Sequence, residues 1–318
     1  MTQHAMRNGI LLPRDLAADD LILFAVQAET SGFDELWVVE DLGFRGGIAQ
    51  AAVALALTAH LRVGIGILPA AVRNVAYAAM EVATLAQLFP GRVDVGVGHG
   101  MPDWLKAAGT WPERPLAYLR AYVLALQGLL RGETVAWGSG ELALDPAAVP
   151  AVVPDVLLGV RGPKSLQASG RVAQGTILAE PSTEEYVTAA REQIAATGPH
   201  RIVAYNVAAV DDDGDAAVAA VRPGLEWIGE ADWLPHLRPI DIGPEVTALR
   251  AQSATREEFA RRLPPEWVAR LAVAGTPAVV RERLAGLARA GVTTSVLIPA
   301  GPDPLAAVAA LGRALPGR

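Results

Sequence analysis

Residues 62–100 read RVGIGILPAAVRNVAYAAMEVATLAQLFPGRVDVGVGHG, two short glycine-punctuated apolar runs with one longer run between them. Residues 62–67 and 92–97 are Val/Ile-rich and too short for helices, whereas residues 74–89 have helical length and an Ala/Leu/Met/Glu composition. The stretch therefore reads as a βαβ unit. Its strands lack polar alternation, the pattern of strands buried on both faces in a parallel sheet covered by helices. Gly64 and Gly66, then Gly96, Gly98 and Gly100, gather toward the strand ends and match neither a dinucleotide fingerprint nor a Walker loop. Glycine in such places either lets a ligand approach the backbone or relieves crowding inside a barrel.

The same alternation extends in both directions. Further strands are expected at 8–12, 34–39, 155–159, 176–179, 201–210 and 293–298, with helices at 19–32, 48–60, 115–131, 164–172, 183–197, 277–290 and 303–315. Thr276 can cap the helix that has Pro277 at its first position, and one of Asp211 to Asp213 can cap a short helix over 216–221. Residues 100–114, with Trp104 and Trp111, read as a long loop, 134–144 as a small hairpin, and 222–263 as short helices forming a lid-like excursion. Eight strands alternating with helices predict a (β/α)8 TIM barrel with insertions, over one domain spanning 1–318. An open doubly wound sheet is the alternative.

Composition narrows the function classes. Apolar residues make up 52% of the chain and charged residues 19%, enough for a large core. The apolar segments are shorter than the roughly 20 residues that span a bilayer, and no secretory h-region is present, so a cytoplasmic location without membrane contact is expected. With no cysteine, disulfides, thiolate metal sites and Cys nucleophiles are excluded. His4, His60, His99, His200 and His236 show no metal-binding spacing, and no metal is expected. A net charge of -7 disfavours a nucleic-acid partner.

In a barrel, function lies at the C-terminal ends of the strands. The residues placed there are Glu40 and Asp41, residues 66–69 with Arg73, His99 and Gly100, residues 161–165, Glu180 and Asn206. The segment GVRGPKS, residues 159–165, is the best anion site on physical grounds: a glycine-containing turn opens a helix whose first N–H groups are free, beside Arg161 and Lys164. An ordinary strand-to-helix turn with solvated charges is the other reading. Glu40 and Asp41 are either an acid–base pair tuned by burial or a salt-bridged pair, with Arg45 the nearest cation in sequence. His99 is either a hydrogen-bond donor at the mouth or a packed side chain.

The runs GIGILPAAVRN, MEVATLAQL and PGRVDVGVGHG, together with GVRGPKSLQASGRVAQGTILAE at 159–180, resemble the bacterial-luciferase-like family of flavin and deazaflavin oxidoreductases. Asn74 and Val75 stand where that family often has His-Pro, Gln87 where it often has Asp, and Gln174 where it often has the Asp of Ala-Asp-Gly. The resemblance implies a cofactor phosphate held by Gly159, Arg161, Gly162, Lys164 and Ser165. It also implies a bulge with a non-proline cis peptide at Gly66-Ile67 that backs the cofactor ring, with Gly66, Ile67, Leu68 and Gly98 as ring contacts. Glu40, Asp41 and His99 become the catalytic candidates, and Asp41 stands where many deazaflavin-dependent members have His.

Within the family the pattern is most similar to the methylenetetrahydromethanopterin-reductase-like branch. That implies hydride transfer between coenzyme F420 and a small organic substrate. The alternatives are an FMN-dependent monooxygenase supplied by a partner reductase, and a non-catalytic flavin-binding protein. A homodimer is the assembly that the resemblance implies.

Overall fold

The computed structural model describes residues 5–315, so His4 and both ends of the expected 1–318 domain lie outside the described residues. Eight parallel strands are β1 (Arg7–Leu11), β2 (Glu35–Val38), β3 (Arg62–Pro69), β4 (Val93–Gly98), β5 (Asp155–Gly159), β6 (Gly175–Leu178), β7 (Arg201–Val210) and β8 (Thr294–Pro299). Each pairs with its neighbours in sequence, and β8 returns to pair with β1, with Arg7 opposite Thr294. The sheet is thus a closed (β/α)8 barrel, and the open doubly wound alternative is excluded.

Several helices start where their sequences supply a side-chain partner for the free N–H groups of the first turn. Asn74 accepts from Ala76 N at 2.9 Å to open Val75–Leu88, Asp213 opens Gly214–Val221, and Thr276 accepts from Val279 N at 3.5 Å to open Pro277–Ala290. Residues 102–107 correct the expected loop: they form a helix, Pro102–Ala107, begun by Pro102 and carrying a single buried side chain, Leu105. A short strand, Val273–Gly275, is also additional, and it pairs only with the last residues of β7.

The barrel interior is stacked in levels. At the N-terminal end, Glu35 and Asp94, both 0% exposed, meet the side chains of Arg7, Arg62 and Arg201. Above them Trp37, Leu157, Val203 and Val296 fill the middle, and Tyr205, Ile177 and the partly buried Ile67 close the top. Gly64 leaves room for the Trp37 ring, whose atoms a Cβ there would overlap, so crowding relief is the role this glycine plays.

Between β7 and Val273–Gly275 the chain runs through the short helices expected for 222–263. They bury their own apolar cluster, including Leu225, Ile228, Leu237 and Phe259, against Val207 and Ala209 on the extended end of β7. No helix among the described residues is long and apolar enough to cross a membrane.

Candidate active site

A cavity of about 1650 Å³ opens at the C-terminal ends of the barrel strands. Ile67, Ile177 and Tyr205 lie at its floor, the helix Pro102–Ala107 contributes Trp104, and the insertion contributes Trp227 and Trp233. The register between β3 and β4 slips between Ile65 and Leu68, and the Gly66-Ile67 peptide inside that bulge is cis, as the resemblance implied. Neighbouring glycines make the room. A Cβ on Gly159 would collide with the Ile67 side chain, and one on Gly98 would stand 3.1 Å from Ile67 Cδ1 and 2.9 Å from the Gly159 carbonyl oxygen.

Of the expected site residues, Glu40, Asp41, Gly66, Ile67, His99, Gly159, Arg161, Gly162 and Ser165 line this cavity together. Three do not. Leu68 is 1% exposed and packs in the core outside the barrel, Gly98 lies behind Ile67, and Lys164 is exposed on the helix Pro163–Val172.

The turn after β5 has the shape of an anion seat. Gly162 is the N-cap in extended conformation, Pro163 takes the first helical position, and a Cβ on Gly162 would meet no atom within 4 Å. The space over the first turn of this ten-residue helix is therefore open to a ligand, and the unpaired N–H groups and dipole of that turn favour negative charge. Arg161 stands beside it with its guanidinium 4.4 Å over the Trp233 ring and Nη1 donating to the Asp232 carbonyl at 3.4 Å. A phosphate group fits this arrangement of open space, helix terminus and fixed guanidinium.

The two carboxylates at the end of β2 are both paired, and neither pairs with Arg45. Glu40 is gripped by Arg73 at 2.6 Å and accepts from Gly47 N at 2.8 Å, tying the end of β2 to the start of the next helix. Asp41 pairs with Arg14 at 2.6 Å. Arg45 instead donates to the main-chain carbonyls of Arg14 and Leu16, which fixes the loop that follows β1. Its guanidinium satisfies these two backbone acceptors, so the sequence proximity to Asp41 does not become a salt bridge.

His99 packs 6.5 Å from Trp111, ring centre to ring centre, and burial holds its imidazole below the ordinary histidine range. Burial thus favours the neutral ring, which has one nitrogen to donate and one to accept. Glu180, at the end of β6, is different from Glu40 and Asp41 in having no ion-pair partner. Burial, reinforced by the nearby Asp41 charge, pushes its carboxyl up against the opposing pull of its own main-chain N–H, Arg161 and Arg14.

Tyr205 was not reached by sequence reasoning, which selected its neighbour Asn206. Asn206 instead bonds Ser182 through both amide atoms, at 2.9 and 3.1 Å, and does not line the cavity. Side chains alternate along a strand, so the inward set is Val203, Tyr205 and Val207, and that pleat was the signal available.

Besides the Arg161 contacts, the insertion is fastened to the site at the turn after β6. Trp233 Nε1 donates to the Glu180 carbonyl at 2.9 Å, and His236 lies within 3.3 Å of the Pro181 carbonyl while stacking on Tyr186 at 4.1 Å. Burial pushes His236 down to about 3, so this fastening is made by a neutral ring.

Known proteins share this architecture. A 5,10-methylenetetrahydromethanopterin reductase of Methanolobus tindarius is 25% identical over 316 residues, covering 92% of this chain and 94% of that protein. An F420-dependent glucose-6-phosphate dehydrogenase of Nakamurella multipartita is 26% identical over 263 residues, covering 78% and 70%. The solved coenzyme F420-dependent tetrahydromethanopterin reductase of Methanopyrus kandleri superposes with a TM-score of 0.80 at 21% identity over 96% of this chain and 97% of its own. The family model described as luciferase-like monooxygenase matches residues 4–294, which takes in seven of the eight strands whole together with the bulge and the anion turn. The chain belongs to the luciferase-like monooxygenase family.

Proposed function

We propose that this protein is a coenzyme F420-dependent oxidoreductase that moves a hydride between the deazaflavin ring and a small organic substrate held in the cavity. The observation that carries this reading is the juxtaposition of the Gly66-Ile67 bulge and the open anion turn of residues 159–165 in one cavity. The F420 dependence named for the Nakamurella multipartita relative supports the choice of cofactor.

In this reading Gly159, Arg161, Gly162 and Ser165 hold the cofactor phosphate, and Gly66 and Ile67 support the ring. The cofactor supplies the two-electron chemistry, and the chain supplies orientation and electrostatics. Glu40 positions the bulge and the neighbouring helix through Arg73 and Gly47, Asp41 and His99 face the mouth, and the tryptophans exclude water. The family description as monooxygenase favours a second reading, an FMN-dependent enzyme fed by a partner reductase.

Titrating the purified protein with F420 and with FMN, each oxidised and reduced, separates the two by fluorescence. F420 is expected to bind at least ~10-fold more tightly, a difference of about 1.4 kcal/mol. Tighter binding of reduced FMN would replace this reading with the monooxygenase one.

A homodimer is part of the same proposal. Tyr77, Met80 and Leu88 on Val75–Leu88 and Leu124 on Pro115–Leu130 are all at least half exposed, an apolar surface on two helices that pack together. Light scattering is expected to give twice the chain mass, and a monomeric mass at micromolar concentration would refute it.

A further inference from the structure

Resting on the hydride-transfer reading, we infer that Glu180 and Tyr205 together form the acid–base contact for the substrate's reacting oxygen, which makes uncharged ketones or aldehydes, and the matching alcohols, the substrate class. The inference comes from sorting the charged and phenolic groups that line the cavity, of which Asp15 and Asp232 are exposed to solvent. Arg14 is occupied by Asp41, Arg45 by main-chain carbonyls and Glu40 by Arg73, and Arg161 is taken by the cofactor phosphate in the reading above. Glu180 has no ion pair, and the Tyr205 hydroxyl has no hydrogen-bond partner although the residue is only 5% exposed.

A buried hydroxyl left without a partner on the floor of a cavity marks the place where a ligand atom completes the bonding. Its position is fixed. The Tyr205 ring packs edge-on against Trp37 with 6.0 Å between centres, and its oxygen sits so close to Gly66 that a Cβ there would collide with it. Glu180 is placed by its own main chain, whose carbonyl accepts from Trp233. Burial raises the phenol of Tyr205 above the ordinary range, and the charges of Glu35 and then of Glu180 raise it further.

The charged groups facing Glu180 are Arg161 from the turn after β5, Arg14 and Asp41 from the ends of β1 and β2, and the phenol of Tyr205 from β7. Burial and Asp41 favour the neutral acid, and the Glu180 main-chain N–H, Arg161 and Arg14 oppose them. With Trp104, Trp111, Trp227 and Trp233 around it and no unengaged cation among the described lining residues, the cavity suits a neutral, largely apolar molecule.

In reduction, a bound reduced deazaflavin would supply a hydride to the substrate carbonyl carbon as the C=O π bond breaks, and Glu180 would give its proton to the oxygen. The product is an alcohol, and the Glu180 carboxylate regains its proton from water at the open mouth. Oxidation reverses both transfers: the carboxylate removes the hydroxyl proton as the carbinol carbon gives up hydride to the oxidised deazaflavin. Tyr205 donates a hydrogen bond to the same oxygen and keeps its proton throughout.

Infrared spectroscopy of the cofactor-free protein with cyclohexanone as probe tests this. In the wild-type protein the bound ketone's C=O band is expected at lower frequency than in hexane, and in the Glu180→Ala/Tyr205→Phe double variant at the hexane position. The wild-type minus Glu180→Gln difference spectrum is expected to contain a carboxylic-acid band above pH ~5, where an ordinary glutamate of pKa about 4.3 is mostly ionised. A wild-type ketone band at the hexane position, an identical band in the double variant, or no carboxylic-acid band would each overturn the inference. The wild-type spectrum decides on its own if the variants fail to fold. Because no cofactor is present, a wrong cofactor assignment registers only in the fluorescence titration.

Discussion

Replacing Arg201 with Met is expected to cost about 3–5 kcal/mol of stability, the usual penalty for removing one partner of a buried ion cluster. Its guanidinium reaches Asp94 at 2.7 Å, Asp155 at 3.1 Å and Glu35 at 3.5 Å, and Asp94 and Glu35 are completely buried. Burial alone would push the Asp94 carboxyl up, yet Arg201 and Arg62 outweigh it and hold the group below the usual range. Glu35 stays raised, because burial and the Asp94 charge exceed what Arg7, Arg201 and the Trp37 N–H return.

Without Arg201 these two carboxylates share the interior with Arg7 and Arg62 alone, and their mutual repulsion is no longer bridged. The urea midpoint is expected to fall accordingly, while cofactor affinity of the folded protein stays within about threefold, because the cluster sits at the opposite end of the barrel. A stability loss below about 1 kcal/mol would contradict the cluster's role as the structural closure of the barrel base.

Arg161→Ala is expected to weaken cofactor binding by roughly 10- to 100-fold, the loss of one charge-assisted hydrogen bond to a phosphate at about 1.5–3 kcal/mol. Arg161 lines the cavity and is held by Trp233 and the Asp232 carbonyl, so little side-chain entropy remains to be lost when an anion arrives. Lys164→Ala is expected to change affinity less than about threefold. Its ammonium group is exposed and outside the cavity lining, where solvent screens its charge. Equal losses in the two variants would mean that the phosphate sits over the outer face of the helix rather than in the turn.

The contrast between Arg161 and Lys164 shows where sequence reasoning stops. The motif GVRGPKS identifies a helix N-terminus rich in positive charge, but which cation faces inward depends on the direction of the first helical turn. Strands β5 and β7 were legible to the residue, because each opens on one charged residue and continues as an apolar run, broken in β7 only by Asn206, with polar or proline-rich flanks. The helix Pro102–Ala107 was hidden because one buried leucine makes no periodic pattern.

The ion cluster at the barrel base was out of reach for a different reason. Arg201 lies 107 positions from Asp94 and 166 from Glu35, and only closure of the ring brings them together. Tyr205 was missed by one position, the distance that exchanges the two faces of a strand.

The most direct test of the account is a crystal structure of the protein with oxidised F420 bound. The account predicts the deazaflavin ring against the Gly66-Ile67 peptide and the phosphate within hydrogen-bonding distance of Arg161, Ser165 and the first N–H groups of the helix Pro163–Val172. A ring bound away from the bulge, or a phosphate outside the turn after β5, would contradict it.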